Sequence, residues 1–402
     1  MYCIILPIYI CLSAFNLLIL PITKNIIMAN QNLGKAKKEK KDEFYTQLGD
    51  INKEMQAYLD YNPDVFRDKT VLLPCDDPEW SNFTRFFALN FQLFGIKRLI
   101  STSYAPDAKK AKYGIEPSLF PEEEHDPKFD PSKWQTRGRI FILDRDTNGD
   151  NRIDIDDLRW EYLDGDGDFR SHEITQLRNE ADFIITNPPF SLFREFLKWI
   201  IDGGKQFSVI GNMNAITYKE VFPLLKDNKI WLGNGFTAGN AFFATPNAQK
   251  YGEGVLQDDG LVKFRNCCWF TNIELGKRHE PLPLMTMADN LKFSRHKDLR
   301  GRKEYQHYDN YDAIEVPYTD AIPSDYTGAM GVPISFLDKY CPEQFRLLGI
   351  TDRGNEYGIK TREYTPADTP HFGDLNRRGA IMVDGELKST YARILIQKIT
   401  TP

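Results

Sequence analysis

Short apolar runs alternate with amphipathic stretches along the first two thirds of the chain. The runs are TVLLPC (Thr70 to Cys75), KRLIST (Lys97 to Thr102), GRIFIL (Gly138 to Leu143), DFIIT (Asp182 to Thr186), QFSVIG (Gln206 to Gly211) and KIWLG (Lys229 to Gly233). Near-continuous hydrophobic strands of this length, separated by helices, predict a mostly parallel sheet covered on both faces. SNFTRFFALNFQLF (Ser81 to Phe94) and SLFREFLKWII (Ser191 to Ile201) carry apolar residues at three- and four-residue spacing, which predicts helices with Ser81 and Ser191 in capping positions. The predicted architecture is α/β and doubly wound. After about Leu275 the texture changes to Pro, Tyr and Asp with no clear alternation, so residues 42–274 read as the main domain and 275–402 as a smaller second region.

Composition narrows the class. The chain has 402 residues, 27% charged and 41% hydrophobic, which is ordinary for a globular protein with a large core. A net charge of −6 excludes a protein basic all over, though not one with a basic face. The stretch from Gly276 to Asp312 offers such a face, with Lys277, Arg278, Lys292, Arg295, Lys297, Arg300, Arg302 and Lys303 interleaved with aromatics. Cys3, Cys11, Cys75, Cys267, Cys268 and Cys341 are scattered without a CxxC or a His at ligand spacing, which argues against a zinc site or disulfide scaffold and for a reducing cytoplasm. The N-terminus, MYCIILPIYICLSAFNLLILPI, is long and apolar enough for a membrane span, but it lacks a basic flank and a cleavage signal. Residues 1–27 are read as an extension from a misassigned start, with Met28 the natural one and 28–41 a lysine-rich flexible arm; a membrane anchor is the alternative.

In doubly wound sheets ligands bind at the carboxyl ends of strands, near a switch in strand order. That rule places Cys75-Asp76-Asp77-Pro78 and Asn187-Pro188-Pro189-Phe190 on one rim. The acidic segment 144–168 has two readings. DRDTNGDNRIDIDD fits part of a calcium loop if Asp146, Asn148, Asp150 and Asp157 take positions 1, 3, 5 and 12, but Asn151 replaces the usual Gly and Asp the bidentate Glu. A surface hairpin turning at Asn148-Gly149 is the simpler account, and no metal site is expected. In GDGDF, Asp168 is placed at the end of a neighbouring strand on the same rim, where an ionised carboxylate accepts from a ligand amine.

Asn-Pro-Pro-Phe has its own chemistry. An exocyclic amine such as adenine N6 is a poor nucleophile because its lone pair is delocalised into the ring. An amide oxygen from Asn187 and the Pro188 carbonyl, each accepting one N–H, would free that lone pair, and the two prolines would hold both acceptors still. Phe190 would stack on a base that has left the duplex.

With the blocks DEFYTQ, CDDPEWSNF, GDGDFRS, ADFIITNPPFSLFREF, IGNMNAITYKEVFPLLKDNKIWLG, CWFTN, YDNYDAIEV, MGVPISFLDKYCPEQF and YARILI, the chain resembles the EcoRI-type adenine-specific DNA methyltransferases from about Asp42 to Ile396. The resemblance implies a Rossmann-like methyltransferase fold and methyl transfer from S-adenosylmethionine to adenine N6 in double-stranded DNA, in a cytoplasmic restriction-modification setting with a cognate endonuclease. GAATTC is then the first site to test. Asn187, Pro188, Pro189 and Phe190 correspond to the catalytic tetrapeptide. Tyr45 and Thr46 match the segment that closes over the methionine end of the cofactor, and Asp168 the acid on its adenine. Asp77-Pro78 sits where the first cofactor loop begins, here without the glycines of common methyltransferases; Asp76, Asp77 and Asn82 are candidates for its ammonium or ribose. The second strand ends LISTSYA, with no acid for the ribose hydroxyls. Asn214, Tyr218 and Lys219 are candidates for lining the base pocket and Trp80 for its wall or the core. Asn82 has capping of the next helix as its alternative role. Competing functions are methylation of RNA or of a protein glutamine on the same fold, and a non-catalytic calcium- or nucleic-acid-binding protein.

Overall fold

The computed structural model describes residues 44–78, 81–105, 127–236, 239–245, 248–252, 254–352 and 359–400. The apolar N-terminal run, the lysine arm, Trp80, Cys3 and Cys11 therefore lie outside the described residues.

The strands of the main sheet are Thr70–Leu73 (β1), Arg98–Ser103 (β2), Arg139–Leu143 (β3), Arg159–Tyr162 (β4), Phe183–Thr186 (β5), Gln206–Asn212 (β6), Trp231–Leu232 (β7) and Cys267–Thr271 (β8). Their spatial order is β4-β3-β2-β1-β5-β6-β8-β7. The centre, β2-β1-β5-β6, is parallel, while β3, β4, β8 and β7 each pair antiparallel. The molecule is thus α/β with a large mixed sheet, in place of the mostly parallel one expected. The reason is local: the acidic connection 144–158 folds β4 straight back on β3, and β8, an apolar run not singled out from sequence, returns between β6 and β7.

Side chains alternate across the sheet. Leu72, Ile100, Ile184, Val209 and Phe270 belong to one buried cluster, together with Ile174 of α3 (His172–Glu180) and Phe196, Leu197 and Ile200 of α4 (Phe193–Asp202). Their neighbours Val71, Leu73, Leu99, Phe183, Ile185, Ile210 and Trp269 belong to the other, with Ile51, Met55 and Tyr58 of α1 (Leu48–Tyr61) and Phe83, Phe86 and Phe87 of α2 (Asn82–Leu89). Helices on both faces explain why each strand reads as continuously apolar.

The predicted helix Ser81 to Phe94 divides. Ser81 caps α2 by accepting from the Phe83 N–H, but Asn90 interrupts the run, its side chain donating back to the Phe86 carbonyl at 2.8 Å, and a short helix Phe91–Phe94 follows. Ser191 is not a cap: it sits inside a 3-10 turn, Phe190–Leu192, that precedes α4.

The C-terminal texture hides a four-stranded sheet of Ile314–Glu315, Met330–Pro333, Arg393–Lys398 and Phe345–Ile350, and a hairpin of Ala380–Val383 and Glu386–Ser389. Asp384 and Gly385 turn that hairpin with positive φ, 54° and 83°, as a two-residue Asp-Gly loop demands. Ile314, Val332, Phe345, Ile394 and Ile396 join the same buried cluster as Leu72 and Phe196.

Candidate active site

The chain runs outward from β1 through β2, β3 and β4, then returns to β5 beside β1, so strand order switches between β1 and β5. Both carboxyl ends meet there, and the Thr186 hydroxyl donates to the Pro74 carbonyl at 3.0 Å to pin them together. Pro188 and Pro189 stop the β5 ladder immediately beyond this tie, because neither has an N–H to continue it.

Asn187 is held from one side. Its Nδ2 donates to the Phe44 carbonyl at 2.6 Å, while its Oδ1 is buried and accepts nothing among the described residues. A carbonyl can only accept, so the Phe44 oxygen compels the NH2 half to face it and turns the amide oxygen the other way. An unpaired buried acceptor costs free energy, so a donor on a ligand that reached it would relieve that cost.

Phe44 reaches this place through a small sheet in which Tyr45–Thr46 pairs with Asn240–Ala244, itself paired with Val262–Arg265. The ring of Phe44 lies 5.7 Å from Phe190, 5.8 Å from Phe243 and 4.8 Å from Phe264. Phe190 is 8% exposed, held edge-on at 6.4 Å by Phe243. It is thus part of an aromatic cluster as well as of Asn-Pro-Pro-Phe. Phe44, Phe243 and Phe264 were not singled out from sequence; the alternation in NAFFA and LVKFR was the available signal.

The expected cofactor residues are brought to this rim, several with partners already. Thr46 is buried, and its hydroxyl has no partner among the described residues. Asn82 donates from Nδ2 to the Thr46 carbonyl at 2.8 Å; it opens α2 but Ser81 supplies the cap. Asp76 is buried and accepts from the Ser81 hydroxyl at 2.6 Å. Asp77 forms a buried ion pair with Arg139 at 2.8 Å, both side chains under 5% exposed, and the Arg139 guanidinium lies 4.3 Å from the Trp134 ring centre. Nothing in GRIFIL announces that partner. Cys75, ahead of these acids, has φ 66°, so the backbone takes a left-handed turn here without glycine.

Asp168 lies in the loop between β4 and α3, beyond the strand end predicted for it. The loop is laid on the end of β2: Ala105 N–H donates to the Asp166 carbonyl at 2.9 Å, and Gly167, with φ 85°, leaves no room for a Cβ, which would stand 2.3 Å from the Ser103 carbonyl oxygen. The Asp168 carboxylate accepts from the Arg170 guanidinium at 2.8 and 3.0 Å, and Arg170 also reaches Glu195 at 2.9 Å. Ser103, which sequence reading passed over, ends β2 with a buried hydroxyl that has no partner among the described residues. Thr46, Ser103 and Asn187 therefore give this rim three unmet polar groups, a donor and acceptor set suited to a polar cofactor and an amine.

Asn214 and Lys219 are exposed and Tyr218 is half-buried, on the 3-10 turn Met213–Thr217 and just beyond, where the chain leaves β6 on the same rim. Asn212 caps that turn by accepting from Asn214 N–H. The basic stretch after Gly276 is divided. Lys277 pairs with Asp338, and Arg278 is buried over Trp231 and paired with Glu274, whereas Lys292, Arg295, Lys297, Arg300, Arg302 and Lys303 are exposed.

In the acidic connection Asp144 pairs with Arg159 at 2.7 Å, while Asp146, Asp150, Asp154 and Asp157 accept from backbone N–H groups. Asp146 accepts from Gly149 and Asn151 N–H, and Asp157 from Thr147 and Asp154 N–H. Among the described residues no group of three or more His, Cys, Asp or Glu could hold a metal ion, and no helix is long and apolar enough to cross a membrane. Cys75, Cys267, Cys268 and Cys341 form no disulfide among the described residues.

The family model for the adenine-specific methyltransferase EcoRI matches residues 32–399. The chain is 42% identical to the type II methyltransferase M.EcoRI of Escherichia coli, over 79% of this chain and 89% of that protein. It is 31% identical to the type II methyltransferase M.MpnI of Mycoplasma pneumoniae, over 90% and 97%, and 30% identical to M.MgeORF184P of Mycoplasma genitalium, over 91% and 98%. No solved structure matches it at a significant level. A chain matched over nearly its whole length, with Asn-Pro-Pro-Phe at the switch point of its sheet, belongs to the EcoRI family of adenine-specific methyltransferases.

Proposed function

We propose that this enzyme methylates N6 of an adenine swung out of duplex DNA, and that Asn187, Pro188, Pro189 and Phe190 are its catalytic group. The observation that carries the reading is the Asn187 amide, anchored through Nδ2 and presenting a buried, unfilled Oδ1. S-adenosylmethionine, when bound, supplies a methyl group on a sulfonium, which departs as a neutral thioether.

Asn187 Oδ1 and the Pro188 carbonyl each accept one N6 hydrogen, so the amine is drawn towards tetrahedral geometry and its lone pair forms the new N–C bond. One N6 proton then leaves to solvent. Both acceptors are fixed before the base arrives, so no reorganisation is paid during reaction. Phe190, braced by Phe44 and Phe243, takes the face of the base.

Thr46, Asp76, Asp77, Asn82 and Asp168 line the cofactor side with Tyr45, and the strand order, switching at β1 and β5, supports a Rossmann-like methyltransferase arrangement. Residues 42–274 would carry the chemistry and 275–402 the recognition of target DNA. The setting we infer is a cytoplasmic restriction-modification system with an endonuclease for the same site.

The test is transfer of labelled methyl to duplex DNA, with RNA and bulk protein in parallel. Label is expected on DNA adenine, and Asn187→Ala is expected to slow transfer by about 100-fold or more, the scale on which removing one preorganised hydrogen-bonding group acts. Label confined to RNA or protein would reject the choice of substrate.

A further inference from the structure

A cavity of about 550 Å³ opens beside the catalytic rim. One wall is Asn214 and Thr217, from the turn that leaves β6; the other is Arg377, Arg378, Tyr391 and Arg393, from the C-terminal region. Because β6 is the parallel neighbour of β5, with Val209 opposite Thr186, this turn and Asn-Pro-Pro-Phe leave the sheet side by side.

The wall residues differ in how firmly they are used. Arg393 is locked by Glu315, its guanidinium donating at 2.6 and 3.0 Å, with both side chains largely buried. Arg378 is closely paired with Asp352. Arg377 is 57% exposed and stands 3.9 Å from Asp352, a loose pair at the cavity mouth. Tyr391 is 85% exposed, between the last strand of the hairpin and Arg393–Lys398. Asn214 is exposed opposite them.

Three arginines against one carboxylate, Asp352, in a chain of net charge −6, with a projecting ring and an exposed amide, form a lining suited to duplex DNA. The stretch 287–303 is the rival, but none of its residues lines this cavity. Asn290 and Tyr305 both donate to the Ala321 carbonyl, and Arg295 is engaged by Asp320 at 2.8 Å.

Resting on the functional reading above, the geometry points to this cavity as the place where the enzyme reads DNA beside the extruded adenine. Arg377 takes a backbone phosphate, Tyr391 stacks on an exposed base face, and Asn214 meets a base edge, the contact that carries sequence choice.

The test uses the full chain and a duplex carrying a site that methylated-adenine sequencing shows the wild-type enzyme to modify. Tyr391→Ala is expected to weaken duplex binding about tenfold, the scale of one lost stacking contact, and Tyr391→Phe to restore it. Arg377→Ala is expected to weaken all duplexes alike and to reduce the slope of log affinity against log salt by about one. Asn214→Ala is expected to broaden the set of sites modified. Cofactor binding, by equilibrium dialysis with labelled S-adenosylmethionine, and melting temperature stay at the wild-type values in all of them, which separates reading from folding and from the cofactor site.

Duplex affinity and site choice within twofold of wild type in all three variants would overturn the inference, as would a loss found only in Lys297→Ala and Arg302→Ala. Failure of the wild-type chain to modify any duplex would instead remove the functional reading, and this inference with it.

Discussion

Asn187 and Asp77 stand on adjacent strand ends and illustrate two fates for a buried polar group. The Asn187 amide spends its donor on Phe44 and leaves its acceptor without a partner among the described residues. Asp77 has a guanidinium partner in the core of the rim. Removing one member of such a pair leaves the other charge buried without compensation, a loss of about 3–5 kcal/mol, whereas removing both with apolar residues of similar volume is close to neutral. Asp77→Ala is therefore expected to be strongly destabilising in denaturant unfolding, and Asp77→Leu combined with Arg139→Met to recover most of the loss. A single Asp77→Ala that unfolds like wild type would show that the pair holds nothing together, leaving its carboxylate to the cofactor alone.

Among the elements, the acidic connection between β3 and β4 is the one whose composition suggested a metal and whose folding is explained by hydrogen bonds. Asp157 gathers the loop: the Thr147 N–H, followed by the Thr147 hydroxyl and the N–H groups of Asp154 and Asn148, holds its carboxyl below the usual range. A depressed folded pKa contributes stability that is present above the unfolded value, about 3.9, and is lost as pH falls through the folded value. Asp157→Ala is thus expected to lower the melting temperature at neutral pH, and the gap from wild type to narrow as pH drops below about 4. Calcium is expected to leave both curves where they are; a rise in the wild-type melting temperature on adding calcium, reversed by chelator, would restore the metal reading. The Asp384-Gly385 hairpin shows the opposite case, an element fully written in two residues and the alternation around them, yet easily lost in a Pro- and Tyr-rich stretch.

For the whole molecule, the buried cluster that runs from Leu72 and Phe196 to Phe345 and Ile396 means that the C-terminal sheet completes one side of the main core. A fragment ending at residue 274 would leave Phe196, Phe222 and their neighbours without that cover, and it is expected to aggregate or to unfold without a sharp transition in calorimetry. Sharp, reversible unfolding of the fragment would establish 42–274 as a self-sufficient domain. By itself the sequence determined the central strands, Asn-Pro-Pro-Phe at a strand end and the acids that follow the first strand. Each of these follows from local rules: apolar runs long enough for one strand, and prolines that end a ladder wherever they stand. Only the tertiary structure decided that β3 and β8 run antiparallel, that Phe44 turns the Asn187 amide, that Arg139 claims Asp77, and that Asn214 and Tyr391 line one cavity. Those pairings join residues from 36 positions apart (Ser103 and Arg139) to 177 (Asn214 and Tyr391), and no periodicity within one segment encodes which distant segment will lie against it.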